Sequence, residues 1–165
     1  GQCDVPSDGG APETPVVGAA VGYVHTVALL SDGSIACWGW NGSGQCDVPS
    51  GIGTTENPVA SVAAGSLHTV ALLTDGSLAC WGWNGFGQCT VPSGIGTPEN
   101  PAIEVDAGEA HTIVLLADGT VEGWGNNSHG QSGALAGPIL QVKRDKNLFS
   151  RSIGGTAAPQ TSLLP

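Results

Sequence analysis

Apolar and polar positions alternate along this chain in short runs, with turn residues between them. His68-Thr69-Val70-Ala71-Leu72-Leu73 is a six-residue run that includes β-branched residues. Asp75-Gly76 follows, a dipeptide suited to a two-residue hairpin turn with positive φ. Ser77-Leu78-Ala79-Cys80-Trp81-Gly82 then reads as the returning strand. Pro58 to Gly65 reads as a further strand ahead of the hairpin, and Gln88–Val91 as a short fourth one. Each such sheet carries apolar residues on both faces. It cannot cover itself, so it must stack on neighbours.

The pattern recurs every 43 residues. Gly1-Gln2-Cys3, Gly44-Gln45-Cys46, Gly87-Gln88-Cys89 and Gly130-Gln131-Ser132 mark its phase. Residues 1–43 and 44–86 agree at 29 of 43 positions, and 44–86 and 87–129 at 25 of 43. A period of this length with about four strands per unit points to an all-β fold of propeller-type blades. The repeats account for 1–137 (1–43, 44–86, 87–129, restart at 130). Residues 138–165 form a non-repeat tail.

The repeated residues also carry a family resemblance. Gly65-Ser66-Leu67-His68-Thr69-Val70-Ala71-Leu72, then Asp75-Gly76-Ser77, then Trp81-Gly82-Trp83-Asn84-Gly85-Phe86-Gly87-Gln88 resembles the regulator of chromosome condensation repeat. The resemblance implies a β-propeller, commonly seven-bladed. That family ranges from a nuclear exchange factor to a secreted inhibitor of β-lactamases, so it implies no single function. Three repeats are too few for a closed ring of that kind. Other chains or further residues would have to complete it.

Composition narrows the partners. The 165 residues include 27 glycines, and no apolar run is long enough to span a bilayer as a helix. Residues 1–137 hold 13 acidic side chains and no Lys or Arg. Such a body cannot neutralise phosphates, which excludes nucleic acid as its partner. Lys143, Arg144, Lys146 and Arg151 are the only basic side chains, and they fall in the tail. Ile139, Leu140, Val142, Leu148 and Phe149 give the tail two segments able to form strands. The expectation is that it docks on a neighbouring chain.

No residue set points to catalysis, a metal or a cofactor. His25, His68 and His111 recur in phase and read as structural, their ring nitrogens held by neighbouring backbone. Asp32, Asp75 and Asp118 read as turn residues. Trp38, Trp81 and Trp124 read as core. Trp40 and Trp83 are extra tryptophans, with Phe86 three residues past Trp83. They begin a loop, where they serve either as packing or as a surface for a protein or a sugar ring.

The cysteines bear on compartment. Cys37 and Cys46 are nine apart, as are Cys80 and Cys89, and the third repeat has Gly123 and Ser132 in their places. Joint loss favours the pairs Cys37–Cys46 and Cys80–Cys89 over Cys3–Cys37 with Cys46–Cys80. Cys3 is then left unpaired or intermolecular. Disulfides imply an oxidising compartment, so a secreted or cell-surface protein is expected. The favoured function is non-enzymatic self-assembly into a head-to-tail oligomer or filament. The alternative is a secreted module that binds another protein or a glycan.

Overall fold

A computed structural model describes residues 14–134. Cys3 and the whole tail, 138–165, lie outside the described residues. Nine strands form three antiparallel sheets: β1 (Val16–Val21), β2 (His25–Leu30) and β3 (Ile35–Gly39); β4 (Val59–Ala64), β5 (His68–Leu73) and β6 (Leu78–Gly82); β7 (Ala102–Ala107), β8 (His111–Leu116) and β9 (Val121–Gly125). Each sheet is ordered as in sequence, with the middle strand paired on both sides. The first strand of each carries a bulge at the same place, between Val16 and Gly18, Val59 and Ser61, and Ala102 and Glu104.

Alternation along the strands sends each sheet's side chains to two neighbours. In β5, Val70 and Leu72 face the third sheet, while Ala71 faces the first. The core therefore sits between sheets. One layer joins Leu29 to Val59, Ala71 and Trp81. The other joins Ala63, Val70 and Leu72 to Ala102, Val105, Val114, Leu116 and Trp124.

Two sequence expectations need correction. Gln88 and Cys89 lie in a turn, Thr90 and Val91 in no strand, and no fourth strand occurs among the described residues. The hairpin turns are not the two-residue type either. Leu30 O accepts from Gly33 N at 3.0 Å and Leu30 N donates to Ser34 O at 2.9 Å, which makes a longer turn. Only the glycine takes positive φ, 84° at Gly33, 85° at Gly76 and 88° at Gly119. The aspartates serve it differently. Asp32 Oδ1 accepts from the Ser34 hydroxyl at 2.6 Å and its backbone N–H at 2.9 Å. Those bonds hold the carboxyl below its usual range.

Candidate functional site

Blades are joined by a polar connector that the sequence pattern did not disclose. Gln45 and Gln88 are fully buried. Each Gln Oε1 accepts a backbone N–H from two residues earlier, Ser43 at 3.1 Å and Phe86 at 3.0 Å, which folds the loop onto itself. The Gln45 carbonyl then accepts from two groups of the next blade, the Thr69 hydroxyl at 2.8 Å and Trp81 Nε1 at 2.9 Å. The Gln88 carbonyl accepts from Thr112 at 2.9 Å and Trp124 Nε1 at 2.8 Å. Trp81 and Trp124 are buried, as expected of core residues.

The histidines complete this connector. His25 Nε2 lies 2.9 Å from Thr69 Oγ1, and His68 Nε2 lies 3.2 Å from Thr112 Oγ1. Each Thr proton is committed to a Gln carbonyl, so the imidazole must be the donor through Nε2–H. Nδ1 is then an acceptor, and in His25 and His68 it is buried without a partner. Nε2 of each ring is thus bonded to a side chain of the next blade, and neither nitrogen to neighbouring backbone as the sequence suggested. The rings lie against Gly22 and Gly65, where a Cβ would clash. Burial lowers the His25 pKa. It holds His68 down to about 4, with repulsion from His25 and His111 adding to the effect. The repeated His and Thr are a joint between blades.

The loop aromatics are on the surface. Trp40 is 48% exposed, Trp83 38% and Phe86 54%. Trp83 and Phe86 meet edge to face, with centroids 5.3 Å apart. Gly42 and Gly85 lie beneath Trp40 and Trp83, where a Cβ would strike the rings. Each junction opens a cleft on this face. The first, about 490 Å³, lies between Tyr23 and Trp40 on one side and Leu67 on the other. The second, about 510 Å³, lies between Trp83 with Phe86 and the Glu109–His111 turn. Tyr23, 82% exposed, belongs to this surface and was missed. Tyr23 stands alone in the sequence, and its phase just before His25 was the available signal.

The loops beneath these aromatics are stapled in two ways. Asn41 Oδ1 accepts from Cys46 N at 2.8 Å, and Asn84 Oδ1 from Cys89 N at 2.8 Å. Cys37 and Cys46 are joined, with Cα atoms 5.2 Å apart. Cys80 and Cys89 are not joined, which departs from the expected second bridge. Their hydrogens are engaged otherwise: Cys80 Sγ lies 3.5 Å from Gln88 O and Cys89 Sγ 3.8 Å from Trp83 O. The adjoining Cys89 thiol, reinforced by burial, pushes the Cys80 thiol up. Among the described residues no cluster of His, Cys, Asp or Glu could hold a metal ion. No helix there is long and apolar enough to cross a membrane.

Comparison with known proteins agrees with this architecture. The model of the regulator of chromosome condensation (RCC1) repeat matches residues 16–45, 59–88 and 102–131, together more than half of the chain. No curated protein matches. Among solved structures, human WBSCR16 superposes with a TM-score of 0.57 at 24% identity, over 70% of this chain and 35% of that one. Prp20p from Saccharomyces cerevisiae, described with its binding to Gsp1p and histones, gives 0.57 at 24% identity over 70% and 32%. The receptor kinase CR4 ectodomain of Physcomitrella patens gives 0.55 at 24% over 67% and 29%. The chain spans about a third of the length of these structures.

Proposed function

The chain belongs to the regulator of chromosome condensation repeat family, and from that premise we propose that it is a non-enzymatic, extracellular protein-binding scaffold. Its contact surface is the row of clefts carrying Trp40, Trp83 and Phe86. The observation that carries this reading is the exposure of those rings, with the two tryptophans each set over a glycine in successive loops. Large aromatic groups held half out of water are the usual anchors of protein interfaces. The Cys37–Cys46 bridge supports an oxidising compartment. Glu109 in the second cleft, and the lack of Lys or Arg in residues 14–134, favour a partner with basic side chains.

A photo-cross-linking residue at position 83 tests this in the extracellular fraction of the source. It should capture a protein, whereas the same residue at position 55, on an exposed loop, should not. Capture should vanish in a Trp40→Ala/Phe86→Ala background that keeps its circular dichroism. Equal capture at both positions, or binding satisfied by glycans alone, would overturn the proposal.

One observation favours self-assembly as a second reading. His111 stands in the register of His25 and His68, and its ring has no hydrogen-bond partner among the described residues. A following blade's Thr would supply one. A solution mass that stays at one chain at high concentration and low salt removes this reading.

A further inference from the structure

The outer face of the third blade departs from the repeat. On the first strands of the blades, positions 18, 61 and 104 correspond, as do 20, 63 and 106. These residues face the next blade. Ser61 is half-buried and Ala63 is packed in the core against the third sheet. The third blade has Glu104 and Asp106 there, both exposed. Beside them on β8 and β9 lie Ile113, Leu115 and Val121, counterparts of Val70, Leu72 and Leu78 in the second blade's core. Together they line a depression of about 330 Å³. A further blade of the same kind would bring apolar residues onto two carboxylates and strip water from them. The face fits an occupant that is apolar and basic together.

The sequence holds one such segment. Residues 138–151 contain Ile139, Leu140 and Val142, then Lys143, Arg144 and Lys146, then Leu148 and Phe149. All Lys and Arg of the chain lie within it. It also starts in the right place. Ser132 is buried, its backbone packed against Gly123 of β9, the outer strand of this same sheet. Lys143 lies nine positions past Ala134, an extended reach of roughly 30 Å. Crossing three strands to Asp106 needs only about 10–15 Å.

We propose that residues 138–151 fold back over the outer face of their own third blade. Their apolar residues cover Ile113, Leu115 and Val121, and Lys143, Arg144 and Lys146 meet Glu104 and Asp106. This goes beyond the binding surface assigned above and is independent of it. It also makes the tail a cap: a face covered in this way cannot receive another chain's first blade.

The test uses the full chain. Hydroxyl-radical labelling of Ile113, Leu115 and Val121 should rise at least about threefold in the Lys143→Glu/Arg144→Glu/Lys146→Glu variant. Ile103, which is 55% exposed on the same strand as Asp106, should not change. Adding Glu104→Lys and Asp106→Lys to that variant should restore protection. Zero-length carbodiimide coupling, on a mixture of isotopically light and heavy chains, identifies whose tail is present. Links from Asp106 or Glu104 to Lys143 or Lys146 should join residues of one isotopic kind. Unchanged labelling in the charge-reversed variant overturns the cap. Links of mixed isotopic kind overturn it in favour of a second copy's tail.

Discussion

Ala63 and Asp106 occupy one register in successive blades and meet opposite surroundings. Ala63 is 5% exposed, pressed between the second and third sheets. Asp106 faces away from both, and its Oδ1 accepts only from Ala107 N, at 2.8 Å, among the described residues. The strands that carry them are paired alike. The difference shows that repeat identity sets the sheet, while the neighbour a sheet meets sets which residues it tolerates. The second blade is an interior blade on both faces. The third is interior on one face only.

The sharpest way to break this comparison is to move the carboxylate. Ala63→Asp should destabilise the protein by more than about 3 kcal/mol, since it buries an unpaired charge. Asp106→Ala should stay within about 0.5 kcal/mol in the same urea unfolding experiment. Equal effects at the two sites would show that the faces are not different.

Acid should act on the interior joints next. The folded pKa of His68 lies near 4 against an ordinary value of 6.5. The unfolded chain therefore binds the extra proton first as pH falls. Stability is complete above about pH 6.5 and declines through pH 4, by up to about 3 kcal/mol from this one ring. Burial acts on His25 in the same direction. Unfolding curves between pH 7.5 and 4 should show this slope, and His68→Gln should flatten it while lowering stability at pH 7.5.

The two cysteine loops offer a comparison of similar size. Cys37→Ser opens a ten-residue loop and should cost about 2–3 kcal/mol. Cys80→Ser should cost less than about 1 kcal/mol while Cys80 and Cys89 remain thiols. We expect a mild oxidant to close Cys80–Cys89, because the two thiols already adjoin one another. Closing it should bring the second loop up to the first. Alkylation under denaturing, non-reducing conditions before and after oxidation checks this at each residue.

A moderate effect is expected at the connector. Thr69→Val and Thr112→Val should each cost about 1–2 kcal/mol, by leaving an imidazole N–H without its acceptor. Matching losses would show that the two junctions are equivalent. A clearly smaller loss for Thr112 would mean that the last blade is held less by its joint.

Much of the fold was legible because strand formation depends on local alternation. The period, the Asp-Gly turns and the runs at His25, His68 and His111 fell where the nine strands lie. The fourth strand was not legible. Gln88-Cys89-Thr90-Val91 has strand-like composition, but the Gln carbonyl is used by Thr112 and Trp124 of the next blade rather than by a ladder. For the same reason the histidine partners escaped the sequence: they lie 44 residues away. The exposed rings of Trp40, Trp83 and Phe86 stood out by their place in the repeat, yet only the fold sets Tyr23 beside Trp40. Glu104 and Asp106 could have been found by asking where the third repeat puts charge in place of small residues. Whether a face is covered depends on the neighbour, which a single repeat does not record.

The loop that follows one sheet fastens the next sheet, through Gln45 to Thr69 and Trp81 and through Gln88 to Thr112 and Trp124. The heritable module is therefore the 43-residue period and not the visible sheet. Duplicating the second period returns every connector to a partner of the same kind. Blade number can therefore grow by whole steps at the second blade, whereas a copy of the third would bury Glu104 and Asp106 against a neighbour.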